Sequence, residues 1–535
     1  MKPIAVNSSD FPSIIRDGQI YVDKTAYFHR MITDRQKKYF FIARPRRFGK
    51  TLMVSTLKAI FEGRRELFRG LAIDQTGYDW QAYPVLSFNF GQIATSSLEA
   101  FDEAFPLCVE RCLAHSGYRY DRGKPASENF ASAISELAAG SGTGQVVVLI
   151  DEYDDPVAKS LKDLEQAKAV RDRLADFYAQ LKDRTGEVRF LLLTGVSKFT
   201  KISVFSTLSN MTDISFAEEY GAMLGYTDEE LDIYFGDQMR AQADVMRLGW
   251  AEYRRQLKWW YNGFRFVRKD PATLYNPISV AMTLARPEDE FAATWTETGR
   301  PSMLMNYLKR ANLVEALSPR KLASVSETAF DVSNLDALKP IGMLFQTGYL
   351  TIRSYNPDTR FYTLDVPDEE IRRDVALLLV DVMADRESGW AASLGDRLRA
   401  ADWPEFFEGL TSLYAKMCYG SHEKQVHEYS YARILHVLLA SQGLQVTQEE
   451  TSASGRSDIV AEYAGGVFIF ELKKNGGVEE AFAQIDEKGY ANPYLASGKP
   501  IWAVALTFDD TTRQLVDAQA KAVGRGGSRR RANDE

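Results

Sequence analysis

Four short, almost wholly apolar runs constrain the first two hundred residues more than any other feature of this chain. They are KYFFIA (38–43), YPVLSFNF (83–90), QVVVLID (145–151) and RFLLLTG (189–195), and helical stretches separate them. A strand with one wet face alternates apolar and polar residues. A strand apolar at nearly every position must be covered on both faces, and crossover helices around a parallel sheet provide that cover. The sequence therefore predicts a parallel α/β layer structure over residues 1–217.

With 535 residues the chain is too long for one ordinary core. Residues 218–330 read as a helical, aromatic-rich lid around WWYNGFRF (259–266). Residues 331–385 read as a winged-helix-like module: a helix ending near Gly348, two strands joined across NPDT, then another helix after Pro367. Its wing carries only Arg353 and Arg360, little charge for a nucleic-acid contact. A helical connector is expected over 386–420, a second compact α/β unit over 421–515, and a disordered Gly- and Arg-rich tail over 516–535.

Composition excludes several classes. The net charge of −8 rules out a basic nucleic-acid coat, although a local basic site remains compatible with it. Cys108, Cys112 and Cys418 form no disulfide framework, and five histidines argue against His-rich metal chemistry. No apolar signal core and no membrane-length apolar run are present, so the expected location is the cytoplasm, away from any membrane.

Two stretches carry chemistry. The first is YFFIARPRRFGKTLMVSTLKAIF, a strand, a loop ending in Gly49-Lys50-Thr51, and an amphipathic helix. Backbone N–H groups at a helix N-terminus, a lysine and a hydroxyl are what phosphate and Mg²⁺ require. Gly49 allows close approach, Lys50 would pair with the β- and γ-phosphates, and Thr51 would hold Mg²⁺. Arg44 stands where the general loop pattern has glycine, and Arg46 and Arg47 would add cationic attraction. Downstream, VVVLIDEYDDP ends a strand in Asp151-Glu152. Asp151 would bind Mg²⁺ through water, Glu152 would orient the attacking water, and Thr194, at the tip of the strand beside that one, would sense the γ-phosphate. The cofactors implied are ATP and Mg²⁺.

The second is GRSDIVAEYAGGVFIFELKK. Strand residues i and i+2 share a face, so Glu471 and Lys473 project together, and Asp458 on a paired strand can face them. Two carboxylates and a lysine suit a metal-activated water attacking a phosphodiester, with Mg²⁺ (or Mn²⁺) held by Asp458 and Glu471.

The pieces YVDKT (21–25), RPRRFGKTL, LIDEYDDP, TGVSKF, GYTDEEL, WYNGFRF, YNPISV and LFQTGYL together resemble the bacterial AAA-ATPase-like family, across most of residues 1–380. That family commonly carries RPRRFGK in its loop, so the resemblance makes Arg44 an expected residue. It implies ATP binding and slow hydrolysis. The C-terminal segment resembles the PD-(D/E)XK nuclease superfamily, whose pattern assigns Glu428 to the metal site and Gln484, with Lys488 and Tyr490, to a helix beside it. The expectation is thus an ATPase controlling a fused Mg²⁺-dependent nuclease acting on nucleic acid, DNA ahead of RNA. A homo-oligomer is compatible with it, and defence against mobile DNA is the setting such fusions suggest. The alternative is a non-catalytic, ATP-driven switch that grips DNA or a protein partner.

Overall fold

The computed structural model describes residues 1–6, 8–198, 210–269, 272–288, 290–293, 319–332, 334–384, 390–420, 428–448, 459–463, 465–512 and 514–523. The chain divides into two compact units, Met1–Ile371 and Arg372–Glu535.

The first unit is built on a parallel sheet of five strands: β1 (Tyr39–Ala43), β2 (Val85–Asn89), β3 (Val146–Asp151), β4 (Val188–Gly195) and β5 (Thr212–Asp213). Their spatial order is β2-β3-β4-β1-β5, with every neighbouring pair parallel. The four apolar runs are strands, and β1 and β3 are buried at every position, as two-sided cover requires. The two-residue edge strand β5 has no apolar run and was not foreseen. Phe130 and Phe177, from the helices Ala126–Gly140 and Leu164–Ala179, stack at 4.3 Å beneath Phe88 of β2. Truncating such a buried ring to alanine costs about 3–5 kcal/mol. Because all strands run the same way, Ala43, Asp151 and Gly195 end at one edge of the sheet, where α/β folds place their ligands.

The region expected to be a helical lid contains the helices Asp228–Val245, Trp250–Tyr261 and Pro277–Ala285. Thr227 and Glu230 form a reciprocal cap at the start of the first. These helices share a core with the N-terminal segment: Ile20 and Val22 pack with Phe235, Leu257, Tyr261 and Val280. The region is not wholly helical. β6 (Asn262–Phe264) pairs with β7 (Leu274–Tyr275), and β8 (Val325–Ser326) joins a later sheet. After the helix Pro340–Gln346, β9 (Thr351–Asn356) and β10 (Phe361–Asp365) form an antiparallel hairpin, with β8 on the outer edge of β10. Asn356 Oδ1 accepts the backbone N–H groups of Asp358 and Thr359, which fixes the NPDT turn.

The second unit holds a mixed sheet in the order β11 (Gln445–Gln448), β12 (Ile459–Tyr463), β13 (Gly466–Lys474), β14 (Ile501–Phe508) and β15 (Leu515–Ala522). β13 and β14 are parallel, and the helix Val478–Lys488 crosses between them. One face of the sheet (Phe468, Phe470, Leu472, Val504, Leu506) packs on the helices Trp390–Arg399, Trp403–Gly420 and Glu428–Ser441. The other (Val467, Ile469, Ala503, Ala505) packs on Val478–Lys488. β15 corrects an expectation: residues 516–522 are an edge strand, not tail. Its alternation, Val-Asp-Ala-Gln-Ala-Lys-Ala, uses alanine for most of its apolar positions and so carried almost no strand signal.

Candidate nucleotide and nuclease sites

The chain leaves β1 at Ala43, turns through residues 44–49 and enters the helix Lys50–Phe61. Gly49 (φ 86°) caps that helix in the left-handed region that glycine adopts without steric cost, while Arg47 (φ 68°) adopts it at a cost of about 1–2 kcal/mol. The Lys50 ammonium donates to the carbonyl oxygens of Arg44 (2.9 Å) and Pro45 (2.8 Å). Burial lowers its pKa to about 8, against the opposing pull of Asp151, Asp154 and Glu152. Thr51 Oγ1 donates to Asp151 Oδ2 at 2.7 Å. This contact joins residues 100 apart, one on the helix that follows β1 and one at the end of β3, two strands separated by β4.

Burial raises the pKa of Asp151 and Glu152, and for Glu152 the Asp151 carboxylate adds to the effect. Glu152 sits at φ 51°, a left-handed turn immediately after the strand. Its carboxylate abuts Gly91, where a Cβ would stand 1.5 Å from Oε2. Asp154, which sequence reasoning passed over, is buried and accepts from the backbone and hydroxyl of Ser197 and from the backbone of Val196, tying β3 to the loop after β4.

These groups open on a cavity of about 560 Å³, a typical size for a small-molecule site. Arg46, Arg47, Gly49, Lys50, Thr51, Glu152 and Lys159 form its polar wall. An apolar wall comes from elsewhere: Ile4, Ile20 and Val22 of the N-terminal segment, and Tyr226, Phe235 and Ile278 of the helical region. Val22, Tyr226 and Ile278 fall within YVDKT, GYTDEEL and YNPISV, pieces whose chemistry gave them no role; the wall forms because Ile4, Ile20 and Val22 share a core with Tyr226, Phe235 and Val280. Lys24 also lines the cavity, but its ammonium is held by Glu230 (2.6 and 2.7 Å) and the carbonyl of Ala222 (2.8 Å). Asp23 is a local brace: it accepts from Thr25 and from the backbone of Ala72.

Three more residues do not line the cavity. Asp151 is buried behind Thr51, from whose hydroxyl it accepts and which does line the space. Thr194 is fully buried within β4, does not line the space, and its hydroxyl has no hydrogen-bond partner among the described residues. Val196, two residues on, lines it instead. Arg44 is buried behind the loop: Nη1 donates to the carbonyls of Ser215 (2.6 Å) and Ala43 (3.1 Å), and the guanidinium lies 4.4 Å from the Phe266 ring centroid. Burial lowers its pKa to about 9, with Asp213 opposing. Arg46 instead faces Asp155 across 3.5 Å.

In the second unit, Glu471 and Lys473 share a face of β13, and Lys473 Nζ lies 3.1 Å from Glu471 Oε1. Lys473 also donates to Gln484 Oε1 on the crossover helix. Gln484 is buried, and its Nε2 has no partner among the described residues. Lys488, exposed one turn further on, lies over the Tyr490 ring. Asp458 lies outside the described residues; Ile459, the next residue, pairs with Phe470, the residue before Glu471. The side chain of Glu428 also lies outside them, and its helix packs on the sheet face opposite Glu471. No group of three His, Cys, Asp or Glu side chains that could hold a metal occurs among the described residues.

The fold and the loop–strand geometry are those of a P-loop nucleotide-binding unit joined to a nuclease-type α/β unit. Residues 3–205 match the family model of a predicted AAA-ATPase, and residues 426–518 that of the PD-(D/E)XK nuclease superfamily. An uncharacterized protein in the vnfD 5′ region of Azotobacter chroococcum mcd 1 is 32% identical over 534 residues, covering 95% of this chain and 97% of that protein. The chain belongs to the predicted AAA-ATPase family and carries a C-terminal PD-(D/E)XK nuclease-superfamily domain. No solved structure matches it. Among the described residues, no helix is long and apolar enough to cross a membrane.

Proposed function

We propose that the first unit binds and hydrolyses ATP, and that its nucleotide state controls cleavage of DNA phosphodiesters by the second. The observation that carries the ATP half is the Thr51–Asp151 contact at 2.7 Å. A hydroxyl from the first turn of a helix and a carboxylate from a strand end meet there as hard oxygen donors, the set Mg²⁺ takes beside phosphates. Thr51 and Asp151 would hold that ion, which neutralises phosphate charge when bound. Lys50 then leaves its two loop carbonyls for the β- and γ-phosphates, and Glu152 orients the water. The apolar wall accepts the base.

The Glu471–Lys473 pair, 3.1 Å apart on the edge of a covered sheet face, supports the cleavage half. Asp458 and Glu471 would hold Mg²⁺ or Mn²⁺, which supplies an acidified water; Glu428 is left out of this set, because its helix packs on the sheet face opposite Glu471. Lys473, oriented by Gln484, would stabilise charge on the phosphodiester. Defence against mobile DNA and a homo-oligomeric assembly are consistent with this reading. The test is cleavage of labelled DNA with Mg²⁺, with and without ATP, by wild type, Asp458→Ala and Lys50→Ala. Cleavage that survives Asp458→Ala would sink the site assignment. ATP binding without cleavage of DNA or RNA would leave a non-catalytic switch.

A further inference from the structure

We propose that Lys159 is a catalytic cation for the γ-phosphate, supplied by the same chain that holds the nucleotide; this rests on the ATPase reading above. In that reaction the water oxygen bonds to the γ-phosphorus and gives up its proton to the phosphate or to Glu152. The bond from γ-phosphorus to the bridging oxygen breaks, and its electron pair leaves on ADP. Negative charge grows on the γ- and bridging oxygens, and a cation placed there before the event lowers the barrier.

The cavity-lining cations differ in what holds them. Lys24 is committed to Glu230. Lys50 lies beneath the loop on its carbonyls. Lys159, on the helix Asp155–Ser160 that follows the Asp151-Glu152 strand end, also lines the cavity. Its ammonium donates to the carbonyl of Gly91 at 2.5 Å and lies 2.6 Å from Asp155 Oδ2. Gly91 is the residue against which the Glu152 carboxylate packs. The water-orienting carboxylate and this ammonium therefore flank one residue, which places Lys159 beside Glu152 on the cavity wall.

The ammonium has room to change partners: the Lys159 side chain is 41% exposed, and its i,i+4 partner Asp155 is 12% exposed. Asp155 also faces Arg46, so one carboxylate holds two cations that line the cavity. An ammonium has three donors, so Lys159 can keep Gly91 while turning from Asp155 to a phosphate oxygen.

The test is ATP turnover and nucleotide affinity for wild type, Lys159→Met and Lys159→Arg over a range of protein concentrations. Lys159→Met should lower kcat about 100-fold, the usual loss for one charge-stabilising donor. Its ATP affinity should stay within about threefold, because the group acts mainly on the transition state. Lys159→Arg should recover part of the rate, and the rate per chain should not change with protein concentration. Wild-type turnover that Lys159→Met leaves intact would overturn the inference alone. So would a per-chain rate that rises with concentration, which would assign the cation to a second copy. A wild type that binds no ATP would instead overturn the ATPase reading, and this inference with it.

Discussion

Raising the pH from 7 to 9 should weaken ATP binding about tenfold, because Lys50 titrates between them with a pKa near 8. Burial is the cause, and the loop carbonyls of Arg44 and Pro45 accept from the ammonium without neutralising it. At pH 7 about nine in ten molecules carry the charge, and at pH 9 about one in ten. Only the charged form pairs with phosphate, so apparent affinity follows that fraction. Stability of the nucleotide-free unit runs the opposite way, rising with pH. Below about pH 8 the nucleotide-free unit carries a buried charge that costs about 3 kcal/mol relative to an ordinary lysine. That cost fades as pH rises from about 8 toward 10.5. Bound phosphate removes it by raising the Lys50 pKa, so binding near pH 8.5 should take up a proton. Titration with a fluorescent ATP analogue across pH 6.5–9.5, and calorimetry in two buffers of different ionisation enthalpy, read both effects. Lys50→Arg stays charged throughout and should lose the pH dependence. A flat wild-type profile, or the same profile in Lys50→Arg, would refute the reasoning.

Arg47→Ala should weaken ATP binding by about tenfold, the worth of one charge-assisted contact, measured by the same titration. Arg44→Met should change affinity less than about threefold and stability by no more than about 2 kcal/mol, since losing its hydrogen bonds is offset by removing a desolvated charge; reversed effects would mean that Arg44 turns into the cavity. Gly91→Ala puts a Cβ on the Glu152 carboxylate and should lower ATP turnover about 100-fold while ATP still binds, a split visible in kcat against affinity. Lys473→Met should reduce DNA cleavage about 100-fold and leave ATP turnover within twofold of wild type, checked on one preparation.

The polar half of the nucleotide site was legible because it follows local rules. An apolar strand ending in RPRRFGKT or DEYDDP announces itself within a dozen residues. The strand order was legible only in part: β4 lies beside β3 as expected, but nothing in RFLLLTG says that β1 lies on its other side. Nor was the apolar wall legible: Tyr226 and Ile278 lie in quoted pieces, but they meet Ile4 and Ile20 only through tertiary packing. Thr194 shows the limit of reading strand tips: it belongs to the buried strand, and Val196 reaches the cavity. Arg44 was read correctly as no ordinary loop glycine, but its place over Phe266 depends on a contact more than two hundred residues away. In the second unit, i, i+2 alternation was enough to put Glu471 and Lys473 on one face. An alanine-rich edge strand such as β15 offered no such pattern.

The central claim, that nucleotide at Lys50 controls cutting at Glu471, is tested most directly by one rate. Cleavage of a single labelled DNA with Mg²⁺ should be followed with and without ATP in wild type and Lys50→Ala. The account predicts that ATP changes the wild-type rate and leaves the Lys50→Ala rate unchanged. Equal wild-type rates with and without ATP would contradict it.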